Sequence, residues 1–169
     1  MTASGTVLII TATCTALIAG LFYAYSCSVI PAFRLLPDRE YIAVMQSINK
    51  AIQNPVFFVS FMGTLLLLPL ATYMAYASPL PQRFWILLAA TIVYVAGVFG
   101  VTVAGNIPLN DTLEKFDLFT ASAETIRLQR LNFEGRWISF HTIRTIASII
   151  CLVLVITGCI SYGKEVSGR

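Results

Sequence analysis

The sequence predicts an all-α integral membrane domain over residues 1–169. It would be a four-transmembrane-helix up-down-up-down bundle, with an amphipathic interfacial helix in the first long loop and short helices in the third. Three observations predict it. The composition is 57% hydrophobic and 11% charged over 169 residues, with mean hydropathy +0.81, whereas a soluble domain carries roughly 25% charged residues. Four apolar stretches, about 7–30, 55–77, 84–104 and 137–162, are each long enough to cross a membrane, which takes ~20 helical residues for ~30 Å of hydrocarbon. The segments between them concentrate the charges and amides.

The first span lacks a basic leader, its apolar stretch is too long for a signal peptide, and no clear cleavage site follows, so it reads as a retained helix. Tyr23, Tyr25 and Ser26 lie near its exit. In the connection that follows, Pro37 and Asp38 start a helix, with Asp38 as N-cap. Tyr41, Met45, Ile48 and Ile52 fall at helical spacing on one face, and Gln46, Asn49 and Gln53 form an uncharged polar stripe beside it. Arg39 and Lys50 point further round, toward solvent. Such a helix lies at the interface, across the mouth of the bundle. Asn54 caps the second span, and Pro55 takes its favoured first position. A tight turn from Ser78 to Arg83, with Pro79 and Pro81, leads to the third span. Gly97 and Gly100 within that span read as close packing points, Thr102 and Asn106 close it, and Pro108 stops it. Asp111 with Glu114 resembles a capping box for a short helix. A second helical stretch carries Ile126, Leu128, Leu131 and Phe133, and Gly135 interrupts it before Trp137 opens the fourth span.

An even number of spans places both termini on one side and both long connections on the other. Seven basic residues (Arg34, Arg39, Lys50, Lys115, Arg127, Arg130, Arg136) fall on the long-loop side and three (Arg83, Lys164, Arg169) on the other. The excess of basic residues favours long loops in the cytoplasm and both termini opposite. The net charge of +3 is too small to suggest a nucleic-acid partner. Cys14, Cys27, Cys151 and Cys159 lie within or at the ends of spans without a Cys-x-x-Cys pair, which fits small packing residues rather than a metal site or disulfide.

Nearly all hydrogen-bonding side chains in or near the spans gather at the long-loop end. Such groups are costly in hydrocarbon and usually functional. Trp137, His141, Arg144 and Ser148 form one stripe on the fourth span. No Asp or Glu lies inside any span, so Arg144 needs carbonyls, Tyr or Asn side chains, a loop acid such as Asp111, or an anionic ligand as partner. The alternative is an arginine that snorkels to the interface above a membrane-belt tryptophan. His141 is the one histidine in the chain and cannot build a metal site alone. It is the general-base candidate, or else a packing residue bonded to a hydroxyl. Tyr23, Tyr25, Asn49, Gln53, Asn54, Asn106 and Arg136 complete the expected binding set. Capping is the better reading for Asn54 and Asn110, and for Asn106 the two readings weigh equally.

The stretches GLFYAYSCSVIP (20–31), MQSINKAIQNP (45–55), GVFGVTVAGNIPLN (97–110) and RWISFHTIRT (136–145) resemble the anthrone oxygenase-like family of small membrane proteins, over nearly the whole chain. That resemblance implies oxidation of an anthrone-like lipophilic aromatic by dioxygen, without cofactor or metal. An anthrone has an acidic C–H opposite a ketone. The protein need supply only a base, an oxyanion stabiliser and an apolar slot. The expectation assigns His141 as base and Arg144 as stabiliser, with Trp137, Tyr23 and Tyr25 lining the slot and Asn49 and Asn106 orienting oxygens. Two alternatives stand beside it: a carrier of a quinone-like ligand, and a structural or accessory subunit. A second copy of the chain remains a candidate partner.

Overall fold

The computed structural model describes residues 2–77 and 79–167, of which 164–167 as backbone alone. Ser78, Arg169 and the side chain of Lys164, which entered the sequence reading, lie outside the described residues. Four helices are long and apolar enough to cross a membrane: α1 (Ala3–Arg34), α3 (Pro55–Met74), α4 (Gln82–Glu114) and α5, apolar over its membrane-length part and running Ala123–Ser167 in all. Between α1 and α3 lies the amphipathic α2 (Asp38–Ala51). No strand occurs among the described residues.

Contacts across the α1–α5 and α3–α4 seams pair rising residue numbers on one helix with falling numbers on the other, the pattern of antiparallel neighbours. Ser26 of α1 meets His141 of α5, while Thr2 meets Tyr162. Tyr94 of α4 donates its hydroxyl to the Phe61 carbonyl of α3 (2.8 Å), and Thr72 meets Thr91 (3.0 Å). The α4–α5 seam is the tightest. A Cβ built on Gly97 would lie 2.7 Å from Ala147 Cβ, and one on Gly105 would lie 2.5 Å from the Phe140 ring. These glycines allow the two backbones to approach closely. Phe61, Leu68, Tyr94, Val98, Cys151 and Val155 fill the mid-bundle core, while Ile143, Ile146, Ile150 and Val153 of α5 face outward. Buried hydroxyls bond back into their own helices, Thr15 to the Thr11 carbonyl and Thr64 to that of Ser60, so they need no water.

Several local readings are corrected. Pro108 does not stop the third span, and Asp111 does not open a new helix. The helix continues through both to Glu114. The reason is a wide π turn at Thr102–Asn106, in which Ile107 N–H bonds to the Thr102 carbonyl, so that Pro108 sits in the first turn of the resumed α-helix. The same device at Tyr25–Val29 carries α1 past Pro31. Nor does Gly135 break α5. A single exposed glycine costs only ~1 kcal/mol in a helix, and α5 runs unbroken across it. The second long loop therefore holds no separate short helices and shrinks to residues 115–122. Ser122 caps α5 by accepting from Thr125 N–H. Pro37 rather than Asp38 occupies the cap position of α2, a one-residue shift typical of helix ends.

Helix α2 is fastened across the long-loop end. Tyr41, Ile42 and Met45 pack with Leu113, Ile126, Phe133 and Trp137. Arg130 of α5 donates to the carbonyls of Leu36 (2.7 Å) and Arg34 (3.3 Å), pairs with Asp38 (3.0 Å) and Glu134 (2.8 Å), and lies over the Tyr41 ring. Gln46 donates to the carbonyls of Leu113 and Phe116 at the end of α4. Arg39 and Lys50 reach protein partners as well as solvent. Arg39 donates to the Leu118 and Ala121 carbonyls, and Lys50 pairs with Glu114 at 3.6 Å.

Candidate functional site

Under α2 lies a cavity of about 230 Å³ to which all five helices contribute. Leu21, Phe22 and Tyr25 come from α1, Asn49 from α2 and Ile52 and Gln53 from its exit. Phe57, Phe58 and Phe61 come from α3. Thr102, Ile107, Asn110 and Asp111 come from α4, and Trp137 and Arg144 from α5. The lining is mostly apolar and aromatic with a few polar groups, the usual make-up of a small-molecule site.

Arg144 is its central charge. Its Nε and Nη2 donate to His141 Nδ1 at 3.2 and 3.1 Å, and Nη1 donates to Thr102 Oγ1 at 3.4 Å. The guanidinium lies 4.4 Å from the Phe22 ring centroid and 5.4 Å from that of Trp137. Among the described residues no carboxylate forms an ion pair with it. A guanidinium has five N–H donors, so two remain uncommitted on a residue that lines the cavity.

His141 stands behind this arginine and does not line the cavity. It is 1% exposed, stacked on Trp137 (centroids 5.1 Å apart, planes at 8°), with Tyr25 and Phe22 also against it. A guanidinium can only donate, so Nδ1 is the accepting nitrogen and the ring proton of a neutral imidazole sits on Nε2. Nε2 lies 3.1 Å from Ser26 Oγ and 3.3 Å from Thr145 Oγ1. Those hydroxyls donate their own hydrogen bonds to the carbonyls of Phe22 (from Ser26) and His141 (from Thr145). In this arrangement His141 orients Arg144, and its lone pair is taken.

Trp137 is held from two sides. Its Nε1–H donates to Asn110 Oδ1 at 2.8 Å, and its carbonyl accepts from Asn106 Nδ2 at 3.2 Å. The π turn at Thr102–Asn106 places both Thr102 and Asn106 against α5, and the one at Tyr25–Val29 does the same for Tyr25 and Ser26. Such turns recur at functional sites. Asn49 Nδ2 and Asn106 Oδ1 are buried without a hydrogen-bond partner.

Of the residues expected from sequence, Arg144, Trp137, Tyr25, Asn49 and Gln53 share the cavity, while His141 and Asn106 stand behind its wall. Three lie elsewhere. Tyr23 is 59% exposed on the outer side of α1. Asn54 caps α3 by accepting from Phe57 N–H and borders an outer groove with Leu17 and Val56. Arg136 lines a separate open groove with Gln129, Asn132 and Ser139. Asn110, read as a cap, holds the tryptophan. Phe22, Phe57, Phe61 and Thr145 entered no sequence expectation. Phe57 and Phe61, at i and i+4 on one helix face, carry a signal, but it is shared with any core-facing pair.

Fold and site together define a class: a bundle of membrane-length helices around an aromatic-lined cavity whose arginine has no acidic partner among the described residues. Within that class the chain belongs to the anthrone oxygenase family, whose model, described as Anthrone oxygenase, matches residues 57–154. The matched stretch contains Thr102, Asn106, Trp137, His141 and Arg144, while Tyr25 and Asn49 precede it. No curated protein and no solved structure matches the chain.

Proposed function

We propose that this protein is a membrane-embedded, cofactor-independent oxygenase that converts a lipophilic, anthrone-like aromatic to the corresponding quinone. The observation that carries the reading is Arg144: a cation without an acid partner among the described residues, with two further N–H donors on a mostly apolar cavity walled by Phe22, Tyr25, Phe57, Phe61 and Trp137. A planar aromatic fits those walls. Its ketone oxygen would take the two donors and gain negative charge as the opposite C–H loses a proton, so Arg144 binds the developing anion more tightly than the neutral ketone. The carbanion then adds dioxygen. The resulting hydroperoxide loses the second C–H proton as its O–O bond breaks, leaving a new ketone and one water. One dioxygen is consumed: the carbon gives up four electrons, and both oxygen atoms are accounted for. Asn49 Nδ2 and the Tyr25 hydroxyl are the groups to orient further substrate oxygens. The substrate would enter from the lipid, and the cavity end would face the cytoplasm.

The test is oxygen uptake by the purified protein in detergent with 1,8-dihydroxyanthrone, read together with the absorbance of the quinone product. Uptake and product above the micelle background, in equal amounts, support the reading. Tight binding of the anthrone with no oxygen uptake makes the protein a carrier of such ligands instead.

A further inference from the structure

We infer that Asp111 is the catalytic base that removes the substrate proton, an assignment that rests on the oxygenase reading above. The cavity needs a proton acceptor on its own surface, and His141 does not provide it. The His141 lone pair on Nδ1 is engaged by Arg144, and its ring is off the lining. Among the described residues Asp111 is the one carboxylate that lines the cavity. Its side chain has no hydrogen-bond or ion-pair partner among the described residues, whereas its neighbour Glu114 is paired with Lys50. The adjacent residue on α4, Asn110, is fixed by Trp137 Nε1, which holds this turn of the helix at the cavity edge.

Both charges line the cavity, carried by different helices. Arg144 Nη1 is level with Thr102, and Asp111 lies nine residues further along the same helix, on the order of 13 Å at helical rise. That rise counts backbone alone: both side chains line one cavity, and a ring whose ketone oxygen is bonded to the guanidinium needs the carboxylate over its face, where the acidic C–H bond points. Asp111 is exposed where it borders the cavity.

The steps balance. A C–H bond breaks, an O–H bond forms on Asp111, and the electron pair moves to the oxygen facing Arg144. Dioxygen bonds to the carbon, and Asp111 returns its proton to the distal peroxide oxygen. Asp111 then takes the second C–H proton while the C=O bond forms and the O–O bond breaks. The departing hydroxide takes that proton and leaves as water.

Deuterium exchange into the methylene of 1,8-dihydroxyanthrone, in D₂O without oxygen, reads the first step alone. Wild type should exchange the position, and Asp111→Asn should exchange it roughly 10²–10⁴-fold more slowly, the contribution of a positioned base. Anthrone affinity, followed by quenching of tryptophan fluorescence, should stay within about threefold of wild type. Asp111→Glu should restore part of the exchange, and Glu124→Gln, at an exposed ion pair with Arg127, should match wild type. Asp111→Asn that binds and exchanges like wild type overturns the assignment, as does wild type that binds the anthrone without exchanging it. Wild type that does not bind the anthrone overturns the substrate reading itself.

Discussion

Replacing Arg144 with Met removes the charge while keeping an unbranched side chain. Three of the five guanidinium N–H groups are committed to His141 and Thr102, so two are left for a ligand oxygen. A hydrogen bond to a charged group contributes about 1.5–3 kcal/mol, so two contribute ~3–6 kcal/mol. If they form fully only on the anion, kcat/KM falls roughly 10²–10⁴-fold. The cost to the fold has two opposing parts. Removing a cation that lacks an acidic partner stabilises, while leaving His141 Nδ1 without a donor costs about 1–3 kcal/mol. The midpoint of thermal unfolding should therefore move by no more than ~2 kcal/mol, or roughly 4–8 °C for a chain of this size. Arg144→Lys keeps the charge but not the two-point fork, and should fall between wild type and Arg144→Met. The assay is initial oxygen uptake against 1,8-dihydroxyanthrone, paired with differential scanning fluorimetry of the ligand-free protein. A folded Arg144→Met variant that oxidises the anthrone within about threefold of wild type would refute the oxyanion role.

The remaining predictions concern the support of the site. His141→Gln keeps an acceptor that Arg144 can use and should retain more turnover than His141→Leu, with the difference in kcat rather than in anthrone affinity; equal loss in both variants would return the imidazole to proton transfer. Gly105→Ala places a Cβ 2.5 Å from the Phe140 ring and should destabilise by ~1–3 kcal/mol, the usual cost of overpacking. Gly135→Ala meets nothing within 4 Å and should stabilise by ~0.4–1 kcal/mol; the same sign for both in an unfolding titration would contradict the α4–α5 seam. Burial, aided by Glu134, raises the Tyr41 phenol above its ordinary value against the opposing Arg130 and Arg34. Its contribution to stability is thus complete below pH ~10 and lost as pH rises from there through the folded value. The alkaline decline in unfolding midpoint should be shallower in Tyr41→Phe.

Much of the architecture could be read from the chain. Four apolar runs of membrane length, the Asn54-Pro55 start of α3, and the period of Tyr41, Met45 and Ile48 are local signals, and each specifies its element directly. The Trp137–His141–Arg144 stripe was readable for the same reason, since helical spacing alone puts these residues on one face. What misled were residues with a strong local bias that tertiary packing overrode. Pro108 and Gly135 lie inside continuous helices, because a π turn accommodates the first and the second costs little.

The sequence by itself determined that the chain carries four runs long and apolar enough to cross a membrane, that its polar groups gather at one end, and that no Asp or Glu falls inside those four apolar runs, because these follow from composition and from the period of a single helix. Only the tertiary structure decided which partners meet. It turned His141 toward Arg144 and away from the cavity, set Tyr23, Asn54 and Arg136 outside it, and brought Asp111 onto its rim. Those outcomes depend on distances between helices far apart in the chain. Here they are set by the glycine-lined α4–α5 seam, by the two π turns, and by the Arg130 and Gln46 clamps that hold α2 across the mouth.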